Sequence, residues 1–328
     1  MESTTARCQD LIPVPFDHSS DSLVTRNADI EDLLNSFLSN KSPQTVEAYR
    51  KDIHDFRRFL GVETIDEAAR LLLSHGLGRA NTLALKYKAH LKERKLSSAT
   101  QNRRLSALRS LVELAGTLGI VNWELKVKSS RNKPYRDTAG PGVAGFRRLL
   151  DQLSSRRDKK GVRDRAILRL LFDLGLRRGE VISLNLEDVD VDGKRIAVIG
   201  KGDTEKTLLS LPETTCKALS EWVSTRGDES GPLFVNVDRA KKGNRLAGHS
   251  IYRIVRGLGN KAGLKTRPHA LRHASVTEAV RAAQSNGIDL TTVLHFSRHK
   301  DIRTLMIYVD HEKDMQGTLA SLVSNSVA

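Results

Sequence analysis

Between residues 126 and 141 the chain shows no apolar periodicity, and that gap limits how it can build its cores. Lys126, Lys128, Arg131, Lys133 and Arg136 are interleaved there with Ser, Asn, Pro134 and the Gly140-Pro141-Gly142 triplet. Such a stretch offers cations and turn residues but no face to bury, so it reads as a basic linker. A chain of 328 residues already suits two domains on length alone. The expected organisation is a flexible tail over 1–28, a helical domain over 29–125, the linker over 126–141 and a second domain over 142–328.

The first domain reads as a small helical bundle. Ser42-Pro43 places a capping residue before a proline at the first helical position. Val46, Tyr49, Ile53, Phe56 and Leu60 then recur at three- and four-residue steps until Gly61. Thr64 and Glu67 have the spacing of a capping box ahead of Ala68, Leu71 and Leu72. Two more helices are predicted over 81–95 and 98–116. The second of these buries Leu105, Leu108, Val112 and Ala115 and displays Arg103, Arg104 and Arg109.

The second domain is predicted to be mostly helical from residue 143, with one interruption. Val189-Asp190 leads into an Asp192-Gly193 turn, Ile196–Ile199 is a short apolar run, and Leu208, Leu209 and Leu211 precede Pro212. This pattern predicts a three-stranded antiparallel sheet inside a helical domain. The fold class is mainly α.

The formal net charge of +15 points to a polyanionic partner. Residues 1–30 set Arg7 and Arg26 against Glu2, Asp10, Asp17, Asp21 and Asp29, so the excess lies in the remainder. No lipid-anchor motif or basic amphipathic terminal helix favours a membrane surface, which leaves nucleic acid. Two cysteines, Cys8 and Cys216, cannot make a disulfide framework and fit a reducing cytoplasm. No apolar run reaches the ~18 residues of a membrane span, and the acidic Met1-Glu2-Ser3-Thr4 start is no secretory signal.

The chemistry concentrates in five places. They are Gly175-Leu176-Arg177-Arg178-Gly179-Glu180, Gly200-Lys201-Gly202, His269-Ala270-Leu271-Arg272-His273, then His299, and Tyr308 nine residues beyond it. Cations, imidazoles and a phenol without a matching set of acids are suited to holding a phosphate while a tyrosine attacks it. Each residue alone has an ordinary reading. Arg177 could cap a helix, Lys201 could be a solvated turn residue, and Tyr308, in Leu305-Met306-Ile307-Tyr308-Val309, could be core. His269 and Arg272 share a helical face and can reach one phosphate. The pairs His269/His273 and His295/His299 have the spacing of zinc ligands on helices. Arg272, Arg298 and Arg303 crowd both pairs and no third ligand is evident, so no metal is expected.

In this order the segments resemble the tyrosine recombinase family, the phage-integrase-like and Xer-like DNA strand-exchange enzymes, over about residues 30 to 325. The resemblance implies that Arg177 and Arg272 clamp the phosphate and that Lys201 protonates the leaving 5′ oxygen. It implies that His269 exchanges a proton with the nucleophile, that His299 donates to a phosphate oxygen, and that Tyr308 forms a 3′-phosphotyrosyl link. Glu180 is expected to orient arginines, and His273 to be a packing or positioning group. No cofactor is implied, neither metal nor ATP. Two departures from the family pattern stand out. Arg298 occupies the place of a usual glycine, and the stretch from His269 to His299 is longer around Ser285-Asn286-Gly287.

The helical domain resembles the family's core-binding domain, so Arg103, Arg104, Lys126, Lys128, Arg131 and Lys133 are expected to contact DNA. The apolar stripe Met315, Leu319, Leu322 and Val323 resembles the segment the family lends to a neighbouring protomer. That implies a cyclic homo-tetramer on double-stranded DNA with paired recombination sites, with accessory proteins possible and no membrane. The expected location is cytoplasmic and nucleoid-associated, with a mobile-element integrase favoured over a chromosome or plasmid resolver. The competing readings are a type IB topoisomerase, a non-catalytic DNA-binding relative, and a nonspecific nucleic-acid scaffold.

Overall fold

The computed structural model describes residues 30, 33–37, 43–74, 76–131, 140–200, 202–238, 242–299, 301–309, 320, 321 and 323–326. The chain divides into two compact units, residues 1–134 and 135–328. The fold is mainly helical with one small sheet.

In the first unit, helices α1 (Pro43–Leu60), α2 (Ile65–Leu73), α3 (Gly76–Glu93) and α4 (Ser98–Thr117) enclose an apolar core. Ile53 and Phe56 of the α1 stripe are buried, and Phe56 meets the edge of Tyr87 on α3 at 5.0 Å between ring centroids. The capping box before α2 is only half made. Thr64 Oγ1 accepts from the Glu67 N–H at 3.1 Å, but Glu67 Oε2 accepts from the N–H of Glu63, one residue before the cap. Ser97 caps α4 by accepting from the Thr100 N–H at 3.2 Å.

Two expectations for this unit need correction. Helix α4 buries Leu105, Leu108, Val112 and Ala115, but Arg104 turns inward. Its side chain is 14% exposed and is paired with Asp55, a carboxylate 1% exposed that also takes bonds from Arg94, Arg58 and Tyr87. Burial works to raise the Asp55 pKa, and the bonds from Tyr87 and Arg94 with the Arg104 charge outweigh it and hold it low. Buried carboxylates require such cations, so Arg104 is part of the unit's interior. Arg103 pairs with Asp52 at 2.7 Å and remains partly exposed, while Arg109 donates to the Val127 carbonyl.

The start of the basic linker is the second correction, because it is anchored to the bundle. Leu125 and Val127 are buried, whereas Lys126, Lys128 and Arg131 are exposed. Asn81 accepts from the Lys126 N–H at 2.8 Å, and Asn102 holds both the N–H and the C=O of Ser130. The period-two burial of an extended chain is present, but over too few residues to show in the sequence. Residues 132–139, including Lys133, lie outside the described residues.

The second unit contains α5 (Gly142–Ser154), α6 (Lys159–Asp173), α7 (Arg178–Ser183), the strands, α8 (Glu213–Arg226), α9 (Gly248–Lys261), α10 (Pro268–Ser285), α11 (Leu290–Ser297) and α12 (Ile302–Val309). Its main core surrounds α6, whose Ile167, Leu168, Leu170 and Leu171 pack among Leu219, Trp222, Phe234 and Val255. A smaller core joins Val276, Val280, Val293, Leu305 and Tyr308, and so fixes α12 near α10.

Strands β1 (Val189–Asp190), β2 (Arg195–Ile199) and β3 (Lys206–Ser210) form the predicted antiparallel sheet in the order β1-β2-β3. The register pairs Val189 with Ile196, and Arg195 with Ser210 through to Ile199 with Lys206. Lys201 lies outside the described residues, in the connection from β2 to β3. Gly202 beside it has φ +81°, a backbone that side-chain-bearing residues rarely adopt. No helix among the described residues is long and apolar enough to cross a membrane.

Candidate active site

The site begins where α6 ends. Gly175 has φ +55°, and a Cβ there would meet Ser275 Oγ at 3.0 Å. Only glycine makes this turn at no steric cost, and it aims the Gly175 carbonyl at two guanidiniums, those of Arg272 and Arg298. Two residues on, Arg177 caps α7. Its N–H donates to Glu180 Oε2 at 2.9 Å and its guanidinium to Glu180 Oε1 at 2.7 Å. Glu180 is buried, so the short helix exists with its acid already committed to arginine.

Arg272 lies one turn into α10 and is 3% exposed. It donates to the carbonyls of Gly175 and Ser297, and to His299 Nε2 at 3.1 Å. Burial lowers its pKa to about 10, with Arg177 and Arg298 adding to the effect. It therefore stays protonated at neutral pH and is held rigidly by backbone oxygens. His299 accepts from Arg272 at Nε2, which puts its proton on Nδ1. That Nδ1 is buried and has no partner among the described residues. It is an unused donor inside the site.

Arg298 ends α11 in the left-handed conformation, φ 53° and ψ 40°. Its side chain is 12% exposed and pairs with Glu180 at 3.2 Å, while also donating to the carbonyls of Leu174, Gly175 and Phe296. The residue that departs from the family pattern is thus a third guanidinium in the same cluster. One carboxylate, Glu180, faces Arg177 and Arg298, and Arg272 adds a further charge. Among the described residues this cluster is short of negative charge, as a site awaiting an anion must be.

Tyr308 completes the arrangement. It is 4% exposed, and its Oη lies 2.6 Å from His273 Nδ1. His273 Nε2 lies in turn 2.8 Å from His269 Nε2. The resemblance sets His269 against the tyrosine and gives His273 a packing or positioning place; in the structure it is His273 that touches Tyr308. His273 stands between them. Burial raises the Tyr308 pKa, against the lowering pull of Arg272 and Arg177. Burial lowers His273 and His299 to about 4, helped by neighbouring cations, and it lowers His269 as well. The Tyr308 and His299 rings are near-parallel, with centroids 6.0 Å apart.

Arg177, His269, Arg272, His299 and Tyr308 are therefore brought together in the second unit. Arg103, Arg104, Lys126, Lys128 and Arg131 belong to the first. Residues 145–315 match the phage integrase family, and residues 30–116 match the phage integrase N-terminal SAM-like domain. The chain belongs to the phage integrase family of tyrosine recombinases.

Its activity is site-specific DNA recombination. Tyrosine recombinase slr0733 of Synechocystis sp. is 34% identical over 302 residues, covering 90% of this chain and 95% of that protein. A tyrosine recombinase of Synechococcus elongatus is 35% identical over 294 residues, covering 87% of this recombinase and 91% of its own length. The solved structure of the Tn1549 transposon integrase in complex with transposon right end DNA shares the fold. Its TM-score is 0.66 at 15% identity, over 91% of this recombinase and 99% of that chain.

Proposed function

We propose that Tyr308 is the nucleophile of this recombinase and that Arg177, Arg272 and His299 bind the phosphate it attacks. The observation that carries this reading is the phenol of Tyr308, held against an imidazole beside three guanidiniums, two of which share the Glu180 carboxylate. Tyr308 Oη attacks the phosphorus and the bond to the 5′ oxygen breaks, leaving a 3′-phosphotyrosyl link and a free 5′ hydroxyl. Attack by the 5′ hydroxyl of another strand breaks the phosphorus–Oη bond, frees Tyr308 and completes the exchange. The bond energy is conserved, so the cycle needs no ATP.

Arg177 and Arg272 offset the charge that develops on the phosphate oxygens, and the unused His299 donor supplies a further hydrogen bond. Glu180 orients Arg177 and Arg298. Lys201, on the connection between β2 and β3, delivers a proton to the 5′ oxygen, a role suited to a compact ammonium on a hairpin. Arg103, Lys126, Lys128, Arg131 and Lys133 contact the DNA backbone. Arg104 supports that face from within, through Asp55. The recombinase works as a homo-tetramer on paired sites at the nucleoid, with accessory proteins possible, and serves a mobile element.

The test uses a nicked duplex bearing the site that the full-length protein selects from a randomised-sequence library. Tyr308→Phe is expected to bind this duplex like the wild type and to form no covalent protein–DNA adduct. An adduct that persists in the variant moves the nucleophile to another residue.

A further inference from the structure

We infer that His273 takes the proton from Tyr308 and shares it with His269, so that the two imidazoles form one proton relay. This rests on the reading of Tyr308 as the nucleophile. Three observations lead to it.

The first is contact. Among the described residues, the acceptor that touches Tyr308 Oη is His273 Nδ1, at 2.6 Å. His299 is engaged with Arg272 through Nε2, and its ring centroid lies 6.0 Å from that of Tyr308. Arg177 and Arg272 are donors without a free lone pair.

The second is continuity. His273 Nε2 and His269 Nε2 are 2.8 Å apart, with the rings edge-on at 72°. Before transfer, the phenol donates to His273 Nδ1, and the proton on His273 Nε2 is donated to His269. After transfer, His273 Nδ1–H donates to the phenolate side and His269 Nε2–H donates back to His273. Both contacts remain hydrogen bonds at each end of the step, so no side chain has to move.

The third is the charge around the pair. His273 faces His269 and Arg272 on its own helix, Arg267 at that helix's start, His299 from the segment after α11, and Tyr308 on α12. Burial first, and then the Arg272 and Arg267 charges, keep the imidazole neutral and ready to accept. The same cations make it a weak base until a phosphodiester binds among them and offsets their charge. DNA binding therefore strengthens the base at the moment it is needed.

The step balances. The phenol O–H bond breaks and an N–H bond forms at His273 Nδ1. The N–H at His273 Nε2 breaks and one forms at His269 Nε2, leaving His269 as the imidazolium. The phosphorus–Oη bond forms as the phosphorus–O5′ bond breaks, and the 5′ oxygen takes its proton from Lys201. Rejoining runs each transfer backward.

The experiment measures single-turnover adduct formation by the full-length protein on the nicked duplex, together with binding to it. His273→Ala and His273→Asn are expected to bind normally and to react slower by ~10²–10⁴-fold, the range for loss of a positioned proton acceptor. Added imidazole restores part of the His273→Ala rate. Raising the pH from 7 to 9 speeds both variants by about tenfold per unit, because the phenol then ionises unaided, while the wild type stays flat. A 5′-phosphorothiolate duplex, whose leaving group needs no proton, rescues Lys201→Ala but leaves the His273 variants slow.

Near-normal rates in the His273 variants, or their rescue by the phosphorothiolate, overturn the relay while a wild-type adduct upholds the nucleophile. A defect unmoved by both imidazole and pH assigns His273 to structure alone and also overturns it. A wild type whose adduct does not depend on Tyr308 removes the reading beneath it.

Discussion

Arg298 joins the backbone and the chemistry of the site at a single residue. Its φ of 53° is a conformation in which an L-residue is strained by ~1–2 kcal/mol relative to glycine. Its bonds to Glu180 and to three carbonyls offset that strain. Arg298→Ala keeps the strain and loses the bonds, while Arg298→Gly loses both. The alanine variant is therefore expected to be the less stable of the two by ~1 kcal/mol in urea denaturation. Equal midpoints would show that the backbone there is not strained. Arg272 gives a different kind of prediction, because its donors are fixed by the Gly175 and Ser297 carbonyls before any phosphate arrives. Arg272→Ala should cost roughly 3 kcal/mol of transition-state stabilisation, read as the adduct-formation rate, with site binding much less affected. Normal cleavage with collapsed binding would make it a positioning arginine only. The cluster of Arg177, Glu180 and Arg272 was legible from the order of its segments along the chain. The role of His273 was not, because i, i+4 histidines on one helix look alike until something shows where Tyr308 lands. That placement is set by packing, through Val276, Val280, Val293 and Leu305.

Among the elements, the helices of the first unit and the strands of the second follow from local patterns, since their apolar periods run for many residues and their turns carry Gly and Asp. What local pattern misses is pairing over long separations. Arg104 lies 49 residues from Asp55 and Arg94 lies 39, so no window around α4 reveals that its arginine points inward. The Leu125-Lys126-Val127-Lys128 strap is missed for the opposite reason, being too short to establish a period. The buried pairing makes a sharp prediction about α1. Asp55→Ala leaves Arg104 inside the unit with only the longer 3.8 Å contact to Asp52, and Tyr87 Oη without its acceptor. Removing one partner of a buried ion pair costs about 3–5 kcal/mol, so denaturation of the full-length variant should begin at markedly lower urea. If the loss is small, the cluster is solvated enough for its charges to be worth little. Because α4 carries Arg103, one of the cations assigned to DNA, the same variant should also weaken site binding.

At the scale of the whole molecule, the question is how a catalytic unit that buries its nucleophile comes to act on two sites at once. A single protomer brings together Tyr308, its histidines and the arginines. Exchange between duplexes requires a neighbour, and the residues after α12 are the means proposed here. Val323 is 67% exposed, and it ends the stripe that Met315, Leu319 and Leu322 begin outside the described residues. Docked in a neighbouring protomer, that stripe would bury several apolar side chains at ~1.5 kcal/mol or more each, enough to hold a cyclic assembly on DNA. Removing residues 313–328 spares α12 with Tyr308 and all of the first unit. The truncated protein is therefore expected to bind one half-site and to lose cooperative pairing of two sites. Assembly, rather than cleavage, is the quantity to measure. Light scattering on a two-site duplex should give four protomers for the full-length recombinase and fewer for the truncation. A truncated protein that still assembles four protomers and recombines would rule out the exchanged segment.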